Sequence, residues 1–293
     1  MRGERNITPS AQLVGCHVPV LIGHAYNRGK GPGGVAYKRI RKVLWPYLIW
    51  SAAYLLVMRP SGDLEAVWAL LTGGAAAQMY YLLVYAQLSI LTPLLYRLLR
   101  RYRAALYAVT PCVLVIWQLF ALFQVDAPKV GVLFPTWLIY YLFGLEWEKW
   151  HERLEDHRRA VAVTALLSIV VQCAEGLMWF GLGNYSMATT QLRITNMVSA
   201  LAVIAAFMLV SGSVRNWLRA CLPLVRLGNV SFGVYLCHIA ALMVARKVFM
   251  AVGLLGLFPS LFMWALVLFV SAMAVVLCQQ ILPKRALQLL GLG

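Results

Sequence analysis

The sequence predicts an all-α polytopic membrane protein with about eight full transmembrane helices and a partial helix at its N-terminus. Apolar residues make up 62% of the 293 residues, charged residues only 12%, and the mean hydropathy is +0.75. A soluble domain has roughly twice that charged fraction. Long apolar segments alternate with short basic ones, which is typical of helices that cross a bilayer.

Eight segments are apolar over enough of their length to cross a membrane. A helix perpendicular to the bilayer needs about 20 residues, so the shorter segments leave their ends and tilts open. The predicted spans are 43–58, 79–96, 104–125, 130–147, 160–180, 195–214, 228–250 and 258–282. Residues 1–27 are weakly apolar and interrupted by prolines, so they are predicted to form only a partial helix and no signal peptide.

The basic residues test this arrangement, because cytoplasmic loops of membrane proteins are enriched in Lys and Arg. Nineteen of the 26 Lys and Arg residues fall on one set of alternate loops and five on the other. The sequence therefore predicts a cytoplasmic C-terminus, with loops 59–78, 126–130, 181–194 and 246–257 outside. The same rule accounts for the net charge of +16, so membrane lipid is an expected partner and nucleic acid is not.

No soluble domain is predicted, and residues 1–293 are expected to form one integral-membrane domain. The longest polar stretch, 146–159, has 14 residues, and its charge spacing predicts a short surface helix on which His151 and His157 are solvated. The six cysteines are scattered without metal-ligand spacing. They are expected to be small buried apolar residues, and no metal site is predicted.

A basic collar precedes the first predicted span. It consists of Lys38, Arg39, Arg41 and Lys42. These side chains could contact anionic lipid headgroups, which attract basic residues at a membrane surface. They could equally hold the phosphates of a donor substrate, because arginine offers a planar fork that suits phosphate oxygens. Charge alone does not separate the two interpretations.

The second predicted span carries aromatic and amide side chains. Helical spacing places Tyr80, Val84, Gln87 and Leu91 on one side. An aromatic belt with an interhelical hydrogen bond from Gln87 would explain this pattern. The alternative is the polar wall of a substrate cavity.

Two charged residues lie near the external loop 181–194. Glu175 is close to the outer end of its span, and Arg193 ends the loop. Glu175 could be an ordinary interfacial carboxylate, or it could pair with Arg193 and hold an external lid. The loop is polar enough to bind a sugar, although its sequence does not specify one.

His238 lies about a dozen residues into a segment otherwise suited to lipid. An ionisable side chain at membrane depth usually faces a bundle interior, a cavity or a pathway. On a helix, Ser231, Val234, Tyr235 and His238 fall on one stripe. His238 could be a structural histidine that joins two helices, or the stripe could line a polar cavity.

Three segments in order resemble a known family of integral-membrane acyltransferases, acyltransferase family 3. Residues 37–47 (YKRIRKVLWPY) are similar to the family's basic entry to a helix, and residues 80–93 to its aromatic span ending in proline. Residues 227–238 (LGNVSFGVYLCH) resemble its late signature, and residues 18–22 the start of its second helix. The resemblance covers about 18–285.

The resemblance implies transfer of an acyl group, acetyl in particular, from a cytoplasmic acyl-CoA to a hydroxyl of a surface or secreted glycan. It also implies a bacterial inner-membrane location. The donor is then a substrate, acetyl-CoA being the expected form, and no cofactor is expected to remain bound. The implied donor-binding residues are Lys38, Arg39 and Arg41, and the implied cavity residues are Tyr81, Gln87, Ser231, Tyr235 and His238.

The family's catalytic base is a histidine about eleven residues after an arginine on the first helix, and no register of residues 1–27 contains this pair. The sequence therefore assigns no catalytic base, and His238 is the candidate that it offers. Two alternatives follow: a truncated family member without activity, or, from another class, a transporter or flippase. The scarcity of intramembrane acids and of internal repeats disfavours the transporter.

Overall fold

The computed structural model describes residues 32–58, 62–123, 125, 130–210, 216–217, 220–253 and 257–293, without the side chains of 32–41, 58, 222–227 and 257–258. These parts of the chain fold into helices without any strand, which confirms the predicted fold class. The helices are α1 (Pro32–Met58), α2 (Asp63–Thr72), α3 (Met79–Arg101), α4 (Arg103–Leu122), α5 (Leu138–Leu145), α6 (Trp147–Glu155), α7 (Arg158–Gly181), α8 (Tyr185–Thr189), α9 (Ile194–Met208), α10 (Leu222–Ala251), α11 (Leu257–Ile281) and α12 (Lys284–Leu290). Two 3₁₀ turns, Val130–Val132 and Phe134–Trp137, precede α5.

Within the described residues, six segments are long and apolar enough to cross a membrane. They are Met79–Arg101, Arg103–Leu122, Arg158–Gly181, Tyr185–Met208, Gly228–Ala251 and Pro259–Ile281. Two shorter apolar helices, Lys42–Val57 and Phe134–Leu145, occupy the places of the other two predicted spans. The protein is therefore a multi-pass membrane protein, and eight full spans remain a prediction.

Helix α1 begins earlier than the sequence pattern predicts. The predicted span starts at residue 43, whereas the helix starts at Pro32, a residue favoured in a first helical turn because its fixed φ suits the helix and its missing N–H needs no partner there. Lys38, Arg39 and Arg41 therefore belong to the helix itself, although their side chains lie outside the described part.

The chain divides into two compact units. The first comprises Gly33–Ser89 and Arg219–Gly293, and the second comprises Ile90–Leu218. The division cuts α3 near its middle, so this helix contributes residues to both units. One membrane domain over 1–293 remains a prediction.

In the first unit, Val234 and Leu236 of α10 pack against two different groups of helices. Val234 is buried with Val275 of α11 and with Leu287 and Leu292 of the C-terminal segment, whereas Leu236 is buried with residues of α1 and α3. Gly233 allows the first contact, because a Cβ atom there would lie 2.9 Å from both Val275 methyl groups. This glycine of the 227–238 segment is therefore a close-packing position.

In the second unit, a buried carboxylate ties α4 to the start of α6. Glu146, 5% exposed, accepts hydrogen bonds from Arg103 Nε at 2.8 Å, Tyr107 at 3.0 Å and Lys149 at 3.1 Å. The Arg103 guanidinium also lies over the rings of Tyr107 and Trp150. The run 146–159 is thus a surface helix only in its later part, where His151 pairs with Glu155 at 3.0 Å.

Five cysteines lie in the described part of the chain, and all are free thiols. Cys112 and Cys173 are exposed on α4 and α7, and the other three are half-buried. The prediction that the cysteines are buried is therefore wrong for these two. Their thiols lie on apolar membrane-spanning helices, where exposure in the protein is compatible with contact with lipid.

Candidate functional site

The candidate site lies in the first unit, where a tyrosine of α1 contacts the backbone of α10 beside His238. The hydroxyl of Tyr54 donates to the Leu236 carbonyl oxygen at 2.7 Å and accepts from the Ala240 amide at 3.3 Å. An undistorted α-helix joins these two backbone groups directly. The phenol therefore bridges one turn of α10, and His238 stands in the middle of that turn.

Gln78, just before α3, strengthens the same contact. Its Nε2 donates to the Leu236 carbonyl at 3.3 Å, and its own backbone carbonyl oxygen accepts from the Tyr235 hydroxyl. The Tyr235 ring also meets the Tyr81 ring edge to face, with centroids 6.0 Å apart. Buried polar groups are stable in such a place only when they are hydrogen-bonded, and most of these are.

The imidazole of His238 is held by its own helix. Nδ1 lies 2.7 Å from the Tyr235 carbonyl oxygen, and the two rings have centroids 5.9 Å apart. A carbonyl oxygen only accepts hydrogen bonds, so Nδ1 carries the proton and, in the neutral ring, Nε2 keeps the lone pair. No other described residue hydrogen-bonds Nε2. A half-buried imidazole in this tautomer can accept a proton at Nε2.

The structure brings together three of the five predicted cavity residues, namely Tyr81, Tyr235 and His238. Ser231 donates to the Gly228 carbonyl of its own helix at 2.7 Å. Gln87 is half-buried on α3, six residues after Tyr81. The predicted stripe is divided, since Val234 packs towards α11 while Tyr235 packs towards α3. The cavity assignments therefore stay predictions.

Sequence reasoning missed Tyr54 and Gln78, which hold the site together. Tyr54 is 3% exposed and Gln78 is 6% exposed. Their partners are backbone atoms of α10, about 160 to 180 residues away in the chain. The polar character of Tyr54 within an apolar run was the one signal that could have indicated it.

Glu175 and Arg193 lie in the second unit, and no ion pair joins them among the described residues. Glu175 instead accepts from Gln118 Nε2 at 2.9 Å, from Trp179 Nε1 at 3.2 Å and from the Thr195 hydroxyl. Of the two interpretations of Glu175, the one that pairs it with Arg193 is therefore wrong, because the carboxylate bonds three neutral donors instead.

The described residues contain no cluster of metal-ligating side chains. A pocket of about 390 Å³ lies in the second unit, between α3 and the α5–α6 junction. Its charged lining residues are Arg100, Glu146, Glu148 and Lys149.

Several apolar helices of membrane-spanning length define a multi-pass helical membrane protein, and one of these helices carries the half-buried His238. A family model described as an acyltransferase domain matches residues 17–279. The chain therefore belongs to the acyltransferase 3 family and is a membrane acyltransferase. Comparisons with curated proteins and with solved structures gave no match.

Proposed function

We propose that this membrane acyltransferase transfers an acetyl group from acetyl-CoA to a hydroxyl of a surface or secreted carbohydrate. The match over residues 17–279 carries the proposal, because it includes both the basic collar and His238. The proposed setting is the bacterial inner membrane with the C-terminus in the cytoplasm. The distribution of Lys and Arg over alternate loops supports this orientation.

Donor binding is assigned to the collar at the start of α1. Lys38, Arg39 and Arg41 lie within one turn of the same helix, and acetyl-CoA carries several phosphates. Guanidinium groups bind phosphate oxygens in pairs and with good geometry. Holding the donor in this way places its thioester for reaction, which is the main contribution that binding makes to a transfer step.

The transfer step needs a base for the acceptor hydroxyl. The hydroxyl oxygen attacks the thioester carbonyl carbon, its proton passes to the base, the C–S bond breaks, and the CoA sulfur leaves as the thiol after taking that proton. Among the described residues, His238 is the candidate for this base, because its Nδ1 is hydrogen-bonded and its Nε2 keeps a lone pair. Tyr81 and Tyr235 line the same place, and Gln87 and Ser231 are the further residues assigned to the acceptor cavity.

The proposal is tested with membranes from cells that express the 293-residue chain. Radiolabelled acetyl-CoA is supplied, and label in the carbohydrate fraction is measured. We expect transfer with the wild type and a marked rise in KM for acetyl-CoA with Arg39→Ala. Arg246→Ala, which removes an exposed cation assigned to the other side of the membrane, is the matched control. Transfer undiminished by Arg39→Ala would refute the donor-site assignment, and absence of transfer to any glycan would refute the function.

A further inference from the structure

A buried arginine at the start of α9 has an incomplete set of partners. Arg193 is 5% exposed, and its Nε has no hydrogen-bond partner. One terminal nitrogen donates to the Gln172 carbonyl oxygen at 3.5 Å, the outer limit for such a bond. A buried guanidinium is stable when its charge is compensated and its N–H donors are hydrogen-bonded. The Arg193 guanidinium has an unused donor at Nε, and no ion pair within the described part of the chain includes it.

The nearby acid does not bond the guanidinium directly. Glu175 of α7 is bound by Gln118, Trp179 and Thr195, and it forms no ion pair with Arg193 in the described part of the chain. The guanidinium instead lies against Gly176, where a Cβ atom would be 3.2 Å from its Nη1. The guanidinium thus packs against the Gly176 backbone, in space that any side chain at this position would occupy.

The backbone adds to the positive charge at the same place. Arg193 is the N-cap of α9, a helix of 15 residues, and the amide groups at a helix N-terminus attract anions. The first of these amides, that of Ile194, already donates to Gln118 Oε1 at 3.2 Å. Asn196, in the first turn, has a buried Oδ1 without a hydrogen-bond partner. The site therefore offers the Arg193 guanidinium as a donor, the N-terminus of α9, and Asn196 Oδ1 as an unused acceptor.

We propose that Arg193 and the N-terminus of α9 bind an acidic group, a carboxylate or a phosphate, on the acceptor carbohydrate. This inference rests on the proposed function and specifies its acceptor as an acidic glycan. The planar guanidinium suits either oxyanion, and Asn196 Oδ1 can accept from a sugar hydroxyl. The distribution of basic residues places this end of α9 outside, the side on which a surface glycan is exposed.

Binding is measured on the purified full chain in detergent, by the shift of its unfolding temperature with millimolar glucuronic acid, glucose 6-phosphate or glucose. We expect at least one acidic sugar to stabilise the wild type more than glucose does. Arg193→Gln should weaken that binding about 10- to 100-fold, the usual effect of losing a hydrogen bond to a charged group. Arg246→Gln, which removes an exposed arginine, should leave it unchanged.

A second pair of variants keeps the arginine, in case Arg193→Gln fails to fold. Gly176→Ala places a methyl group against the guanidinium and should weaken acidic-sugar binding several-fold, whereas Gly181→Ala meets no neighbour within 4 Å and should have no effect. Equal stabilisation by acidic and neutral sugars, or binding that survives both Arg193→Gln and Gly176→Ala, would overturn the proposal.

The anion could also come from a lipid headgroup, and nanodiscs separate the two sources. If phosphatidylglycerol nanodiscs abolish the effect of acidic sugars that is present in phosphatidylcholine nanodiscs, the site binds lipid and the proposal is wrong. The acetyl-transfer assay separates a failure of the acidic-acceptor proposal from a failure of the proposed function. Equal acetylation of neutral and acidic glycans would refute only the acidic acceptor, whereas failure of all transfer would refute the proposed function and leave the binding result standing.

Discussion

The hydroxyl of Tyr54 lies 2.7 Å from the carbonyl oxygen of Leu236, so a side chain of α1 is hydrogen-bonded into the backbone of α10. Tyr54→Phe removes the bridge and keeps the ring. We expect a loss of about 1–3 kcal/mol in stability, the sum of two hydrogen bonds at about 0.5–1.5 kcal/mol each, and a lower transfer rate because His238 shares that turn.

Thermal unfolding in detergent and the transfer assay measure these two effects. Tyr102→Phe is the matched control, because Tyr102 is 50% exposed. A Tyr54→Phe protein with wild-type stability and rate would show that the bridge has no energetic role.

His238→Gln tests the candidate base. We expect kcat to fall about 10²- to 10⁴-fold, the usual contribution of general base catalysis, with little change in KM for acetyl-CoA and in the unfolding temperature. The matched control is His157→Gln, since His157 is exposed and its ring lies against the Arg153 carbonyl oxygen at the end of the surface helix α6. A fall in unfolding temperature with a proportionate loss of activity would instead indicate a structural histidine.

Gly233→Ala tests the close contact between α10 and α11. The new methyl group would lie 2.9 Å from the Val275 side chain and from Leu292, and such overpacking usually costs about 1–3 kcal/mol. We therefore expect a lower unfolding temperature, measured in detergent. Gly181→Ala adds the same atom in open space and should leave that temperature unchanged. An unaltered Gly233→Ala protein would mean that the two helices separate easily.

Glu146→Gln tests the buried carboxylate of the second unit. The amide keeps the shape but loses the charge that Arg103 and Lys149 share, so we expect destabilisation of about 1–3 kcal/mol. The measurement is again the unfolding temperature. Glu152→Gln, at an exposed position of the same surface helix, is the control. Equal behaviour of the two variants would count against the hydrogen-bonded cluster.

Six of the eight predicted spans coincide with long apolar helices in the described residues. They could be predicted because an apolar run of about 20 residues is rarely found outside membrane-spanning helices. The predicted span 43–58 agrees with the apolar part of α1, Lys42–Val57, whereas the helical turns from Pro32 to the collar carry no apolar pattern that would have predicted them. The sequence placed Glu146 with the solvated charges that follow it, because the basic partner Arg103 is 43 residues away in the chain.

The candidate site was predicted only in part. Tyr235 and His238 were indicated by a polar stripe within an apolar helix, whereas Tyr81 was indicated only by the family resemblance. Tyr54 and Gln78 bind backbone atoms, which leave no mark on the sequence of the partner helix. The absence of an ion pair between Glu175 and Arg193 could not be predicted from the sequence either. It depends on the tertiary packing that places Gln118, Trp179 and Thr195 next to Glu175.

The phenol of Tyr54 also has a mechanical consequence. Its hydroxyl is hydrogen-bonded to two backbone groups in a single turn of α10. Rotation of α1 about its own axis, or a shift along α10 by one residue, would break both hydrogen bonds. Helix α1, which carries the basic collar, is thereby held in one register against α10, the helix that carries His238. A displacement of α1 at Tyr54 would therefore break hydrogen bonds on the very turn of α10 that carries the imidazole.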